Sequence, residues 1–184
     1  MTKLFATTLV MMLFFIPVVS SISAEKPELF SPYVDSKGNI TLPKDFRVKW
    51  VHLGSWAVPY QRDPGYGFHD VYTQTESVKS YKRNGKWPDG AVLVKEIRTV
   101  RWDDMATGHV VFADEESSWF VMIKDRKGRF KGNPNWGEGW GWGLFKANDP
   151  KKNVSTDYKE DCIGCHEPAK DTDWVYIQGY PTLK

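Results

Sequence analysis

Residues 91–125 decide the fold class, and they read AVLVKEIRTVRWDDMATGHVVFADEESSWFVMIKD. Three runs rich in β-branched and aromatic residues are separated by the short polar stretches DDMATG and DEES. Such runs with brief polar turns are typical of antiparallel strands that follow one another in the sheet. A last strand is expected over residues 140–146. The sequence therefore predicts an α+β fold that is predominantly antiparallel β-sheet with a few short helices.

The segments around this region give weaker signals. Thr73 and Glu76 form a capping box before SVKSYKR, which predicts a helix that ends at Asn84 and Gly85. The stretch DFRVKWVHLGSWAV, residues 45–58, is compatible with a strand or a short helix. The tryptophans of NWGEGWGWG are interpreted mainly as core packing, because large rings more often build a core than bind a ligand.

Near the end of the chain, the stretch EDCIGCHEP contains Cys162, Cys165 and His166 in a C-x-x-C-H motif. This motif is the attachment signature of a c-type haem. The cysteines would form thioethers with the haem vinyl groups, and His166 would bind the iron. These are the only two cysteines, and no second C-x-x-C or H-x-x-x-H completes a zinc site, so zinc and a redox disulfide are the weaker alternatives. The sequence predicts one covalently attached haem c.

The position of the motif narrows the class of haem protein. Small electron-carrier cytochromes c are helical, with the motif near the N-terminus. The four-helix cytochromes c′ need long amphipathic helices, and the sequence has none. A β-rich chain with a C-terminal motif fits neither class.

The N-terminus predicts export. Lys3 is followed by an apolar run over residues 4–19 and by SSISAEK, the pattern of a secretory signal peptide with cleavage after Ala24. The run is shorter than the roughly 20 residues of a spanning helix. We therefore expect a signal peptide over residues 1–24 and a periplasmic location with no membrane contact after cleavage. An uncleaved N-terminal anchor is the alternative.

The rest of the chain, residues 25–184, is about 160 residues long, enough for a single domain with one core. Its charge argues against a nucleic-acid partner. Lys and Arg number 25 against 23 acidic residues in the whole chain, and no basic run is present. Binding a phosphate backbone requires a concentrated basic field.

The second axial ligand of the iron decides between electron transfer and chemistry at the iron. An electron carrier usually has a strong second ligand, often Met or His. The candidates are Met105, Met122, His52, His69 and His109, and Met122 is interpreted as a core side chain in WFVMIK. Because none stands out, an open coordination position is expected.

Lys95 is a further candidate functional residue. Strand alternation places it with Leu93 and Ile97 on one face, while Glu96 and Arg98 point to the other. A lysine buried between aliphatic residues would have a lowered pKa and would be a better nucleophile. The alternative is a solvent-facing lysine, with Val92 and Val94 in the core.

The chain resembles the cytochrome P-460 family and the related β-type cytochromes c′. The resemblance runs through TQTESVKSYKRNGKWPDGAVLVKEIRT, GWGLF, CIGCH and DWVYIQGYPTL, so it covers most of the chain after the signal peptide. It implies a predominantly antiparallel β fold and a homodimer. In cytochromes P-460 a lysine is covalently bonded to the haem macrocycle, and the matching residue is Lys95, with Lys86 the lesser candidate.

The resemblance also implies the other site residues and the activity. Cys162 and Cys165 match the thioether positions and His166 matches the iron ligand. Asp157 matches a carboxylate that relays protons, although it is equally suited to start a helix. The family's bulky distal aromatic has no clear match, since Arg101 occupies its position and Trp102 is adjacent.

The activity implied is oxidation of hydroxylamine to nitrous oxide or nitric oxide, with electrons passed to a small soluble cytochrome c. The alternative implied is a non-catalytic protein that binds NO or CO, like the β-type cytochromes c′.

Overall fold

The protein is described by a computed structural model over residues 30–184, so the predicted signal peptide lies outside the described residues. Six strands form one sheet in the order β1-β2-β3-β4-β6-β5, and every neighbouring pair is antiparallel. The strands are β1 (Val51–Val58), β2 (Gly67–Thr73), β3 (Val92–Met105), β4 (Gly108–Lys124), β5 (Trp136–Gly137) and β6 (Trp140–Lys146).

The helices are short: α1 (Phe46–Lys49), α2 (Thr75–Asn84), α3 (Tyr158–Asp161) and α4 (Ile163–His166), with 3-10 helices at Glu167–Thr172 and Pro181–Leu183. The predicted α+β class with a predominantly antiparallel sheet is confirmed. Residues 45–58, which were compatible with a helix or a strand, form both, α1 and then β1. No helix within residues 30–184 is long and apolar enough to cross a membrane.

Helix α2 ends where the sequence predicted but begins differently. Gly85 stops it in the left-handed conformation at φ 64°. The predicted capping box is wrong, because Thr73 is the last residue of β2 and its hydroxyl donates to the Val92 carbonyl at 2.6 Å. Gln74 occupies the N-cap position instead, and its side-chain oxygen accepts from the Val92 amide at 2.9 Å.

The predicted turn at DEES is also wrong, because β4 continues through these residues. The pairing of β3 with β4 shifts twice, between Ile97 and Arg98 and between Arg98 and Val100. At each shift β4 contains one more residue than β3. These bulges absorb the polar stretch within the strand and increase its twist.

Both faces of the sheet are buried, which is why β3 reads VLV without alternation. One face packs Val92 and Val94 against α1 and the segment before it, residues 30–42. The opposite face packs Leu93 and Met122 against α2 and the C-terminal segment, residues 158–184. The sheet thus divides two cores, and the C-terminal segment covers only one of them.

An ion pair fixes β3 to α1. Glu96 is 1% exposed, and Arg47 donates to its carboxylate from Nε at 2.9 Å and also from its terminal nitrogen. Trp119 Nε1 donates to the same carboxylate at 3.2 Å. Glu96 therefore points away from the C-terminal segment, and its neighbour Lys95 points towards that segment.

Candidate haem site

The C-x-x-C-H motif lies on two short helices that follow one another. Cys162 ends α3 and begins α4, and His166 is the last residue of α4. Cys162 is buried and Cys165 is exposed, and neither forms a disulfide. The two thiols are therefore free for thioether formation.

His166 is oriented by a backbone hydrogen bond. Its Nδ1 lies 2.7 Å from the Trp174 carbonyl oxygen, so Nδ1 carries the proton and donates. Nε2 is then the nitrogen that is free to bind a metal. Burial lowers the pKa of His166 to about 4, so the imidazole is neutral at pH 7, the form that binds metals. The ring packs edge-on against Trp142, with centroids 5.0 Å apart.

His166 and Lys95 line the same cleft, between the sheet and the C-terminal segment. The wall is mainly apolar and aromatic, and the remaining lining residues are Trp56, Val71, Leu93, Phe120, Met122, Val175, Tyr176 and Tyr180. Such a wall suits a planar, largely apolar cofactor.

The side chain of Lys95 is enclosed in this cleft. Its Nζ lies 4.5 Å from the centroid of the Phe120 ring. Burial lowers the pKa of Lys95, and the nearby Cys165 and Cys162 thiols act in the opposite direction. The lysine is therefore desolvated and close to the motif, as the buried interpretation predicted, and the solvent-facing alternative is wrong.

The site fits a covalently held haem by its donor set. Two free thiols, one neutral imidazole with an unused Nε2 and an apolar wall come together. Burial raises the pKa of Cys162 to about 11, so it is a thiol rather than a thiolate in this environment. Within residues 30–184 no three His, Cys, Asp or Glu side chains are grouped to bind a metal ion, so the zinc alternative finds no ligand set there.

A family comparison agrees with this geometry. The family model for cytochrome P460 matches residues 43–177, a range that includes every strand and the whole motif. This chain belongs to the cytochrome P460 family. No curated protein matches it. Membership supports a haem protein of that family.

Asp157, the P460 candidate for proton relay, does not line the cleft. It is the N-cap of α3, and its carboxylate accepts from the Lys159 amide at 2.9 Å. Of its two interpretations, the structure shows the helix-start role. Within the described part of the chain, the ionisable side chains on the cleft wall are Lys95, His166 and two tyrosines, with no carboxylate.

Arg101 and Trp102 also lie away from the cleft. They belong to the hairpin arm, residues 99–117, where β3 and β4 extend beyond the pairing of β2 and β6. Arg101 Nη1 lies 3.8 Å from Asp114, and Trp102 is 58% exposed. The strand alternation did not place them, because it does not show that β3 and β4 extend past the neighbouring strands at these residues.

Of the candidates for a second axial ligand, Met122 alone is among the residues that line the cleft in the part of the chain the structure describes. Met122 lines the cleft and belongs to the core, as predicted. His52 bonds Ser55, and His109 bonds Asp104 on the hairpin arm. His69 is buried behind the cleft, stacked on Trp56 at 5.2 Å between centroids.

Sequence reasoning missed the aromatic residues of the cleft wall. Trp56 comes from β1, Phe120 from β4, and Tyr176 and Tyr180 from the C-terminal segment. Tyr180 is buried, which raises its pKa. The one available signal was the aromatic C-terminal DWVYIQGYPTL, which predicted no specific role.

Proposed function

We propose that this protein is an exported c-type haem oxidoreductase that oxidises hydroxylamine to nitrous oxide or nitric oxide. The observation that carries the proposal is the shared cleft, where Lys95 and the iron ligand His166 line one apolar wall. Family membership supports the haem. The substrate is our inference from the lysine, which in cytochromes P-460 is bonded to the macrocycle.

The bound haem would supply the redox chemistry of its iron. Conversion of two hydroxylamine molecules to one nitrous oxide and one water releases four electrons and four protons. His166 would hold the iron through Nε2, and Cys162 and Cys165 would tether the macrocycle. Lys95 would be the residue bonded to the macrocycle, and its burial, which lowers its pKa, favours the amine form that such a bond requires. The apolar wall limits entry of bulk water.

Protons released in the cleft need acceptors on the chain. Asp157 was the candidate, but its carboxylate caps α3. We therefore propose that protons leave through water at the cleft mouth, where Tyr176 and Gln178 are at the surface. Asp157 would serve the reaction only by starting the helix that presents Cys162.

The partners are part of the same proposal. Electrons would pass to a small soluble cytochrome c in the periplasm, where the N-terminal signal pattern of residues 1–24 would direct the protein. A homodimer is supported by the hairpin arm, because a two-stranded ribbon is marginal in water by itself. The arm exposes Trp102, Met105 and Val111, apolar surface that a second copy would cover.

A second function is favoured by one observation. Among residues 30–184 no carboxylate lines the cleft, and apart from Lys95 its side of the sheet is apolar. A non-catalytic protein that binds NO or CO, like the β-type cytochromes c′, would have such a wall. The lysine in the cleft favours the oxidoreductase.

The test compares wild type with Lys95→Leu, using Lys86→Leu as the control because Lys86 is exposed in the turn after α2. The dithionite-reduced spectrum is recorded before and after denaturation in alkaline pyridine, and hydroxylamine oxidation is assayed. We expect a strongly red-shifted Soret band and turnover in wild type and control, and attached haem without either in Lys95→Leu. An ordinary c-type spectrum in wild type, with CO or NO binding and no turnover, would establish the second function.

A further inference from the structure

The carbonyl that holds His166 belongs to a strained turn. Asp173 and Trp174 both adopt the left-handed conformation, with φ 58° and 66°. Residues other than glycine rarely adopt it, and two in succession require support from their surroundings. The turn follows the 3-10 helix Glu167–Thr172, and it directs the Trp174 carbonyl back to His166 Nδ1.

Two buried side chains from the sheet hold Asp173. Lys124, at the end of β4, has a side chain only 9% exposed, and its Nζ lies 2.6 Å from Asp173 Oδ1. Trp140, at the start of β6, donates from Nε1 to the Asp173 carbonyl at 3.0 Å. Lys124 Nζ also lies 4.6 Å from the Trp140 ring centroid. We call Lys124, Trp140 and Asp173 the turn clamp.

The turn clamp joins the sheet directly to the iron ligand. Its ion pair and its hydrogen bond both act on Asp173, and the next residue supplies the carbonyl to His166. Burying the ammonium of Lys124 is unfavourable without a partner, so the pair with Asp173 is strongly held. A hydrogen bond that a ligating imidazole donates from its second nitrogen makes the first nitrogen a stronger electron donor to the metal.

We propose that the turn clamp sets the electron-donating strength of His166 and thereby the reduction potential of the iron. Lys124, Trp140 and Asp173 are positioning residues, since none of them lines the cleft. This inference rests on the proposed haem site but not on hydroxylamine as substrate. A firmly held Trp174 carbonyl favours the ferric state and lowers the potential, because second-sphere hydrogen bonds tune haem iron.

The test uses the holoprotein and two variants. Asp173→Asn removes the charge that pairs with Lys124 and still tolerates the left-handed conformation. The double variant Lys124→Met/Asp173→Asn also removes the buried ammonium. It therefore leaves no unpaired buried charge and provides the test if Asp173→Asn alone does not fold. The control is Asp89→Asn, which weakens the ion pair of Asp89 with Arg129 and touches neither Trp174 nor His166.

The readouts are the midpoint potential and the iron–histidine stretching frequency of the ferrous protein. We expect a higher potential and a lower frequency in both variants, with the control at the wild-type values. Wild-type values in variants that contain attached haem would overturn the clamp.

Hydroxylamine turnover separates this result from the proposed function. A potential shift in a protein without turnover supports the clamp and overturns only the proposed substrate. Turnover without a shift overturns only the clamp. Wild-type protein without attached haem would overturn both.

Discussion

Replacement of Arg47 by methionine tests how β3 is fixed in the register that brings Lys95 to the cleft. The substitution leaves the Glu96 carboxylate buried, with the Trp119 N–H as its remaining donor. Breaking a buried ion pair by removing one partner costs about 3–5 kcal/mol. The Arg47 side chain is 42% exposed, so water screens its half of the pair and the lower figure applies. We expect a loss of about 3 kcal/mol in the free energy of unfolding.

In a domain of this size, that loss lowers the melting temperature by about 6–12 °C. The assay is urea unfolding of the holoprotein followed by far-ultraviolet circular dichroism, with the slope checked for constancy. Glu116→Gln is the control, since Glu116 is an exposed partner of Arg47 and should contribute less than about 1 kcal/mol.

A double variant, Arg47→Met/Glu96→Gln, distinguishes the buried charge from lost packing. The neutral amide still accepts from Trp119 and leaves no buried charge, so we expect it to recover more than half of the loss. A single variant within about 1 kcal/mol of wild type, or a double variant no better than the single one, would refute the reasoning.

Two further predictions concern the walls of the cleft. Gly54→Ala would place a Cβ 2.0 Å from the Gly179 carbonyl oxygen, so the terminal turn before Tyr180 must move. We expect the free energy of unfolding to fall by about 1–3 kcal/mol and CO to reach the haem faster. Unchanged stability and unchanged CO kinetics would contradict this. Burial lowers the pKa of His69, so the unfolded chain binds its proton first and stability falls as the pH drops below about 6.5. In His69→Phe, which retains an aromatic ring against Trp56, part of that acid sensitivity should disappear from urea unfolding between pH 7 and 5; an identical pH dependence would show that His69 contributes nothing.

Local sequence was sufficient for features that depend on neighbouring residues. The strand residues of β3 and β6 follow from their composition, and the end of α2 follows from Gly85. The C-x-x-C-H motif predicts haem attachment from local sequence alone, because two thiols and an imidazole at this spacing lie close together in any fold. The face of Lys95 relative to Glu96 also follows from the two-residue period of a strand.

The sequence could not decide which segments would pack against each face of β3. Both faces of β3 are buried, so a hydrophobic pattern alone did not say whether Lys95 faced solvent or core. Arg101 and Trp102 lie on the hairpin arm because β3 and β4 extend past β2 and β6 there, and the extent of each pairing depends on the whole sheet. Asp157 could relay a proton or start a helix, and the structure separates these roles because Asp157 caps α3 and is not among the residues that line the cleft.

What the sequence determined is therefore the antiparallel sheet, the position of the C-x-x-C-H motif and the alternation that opposes Lys95 to Glu96. Only the tertiary structure decided which residues these side chains contact. It brings Lys95 and His166 to one cleft, and it places the Trp174 carbonyl where it orients the imidazole. The physical reason is the distance along the chain over which each effect acts. Backbone propensity and side-chain period act over a few residues, whereas the cleft is built from segments far apart in the chain, whose meeting depends on the packing of the whole sheet.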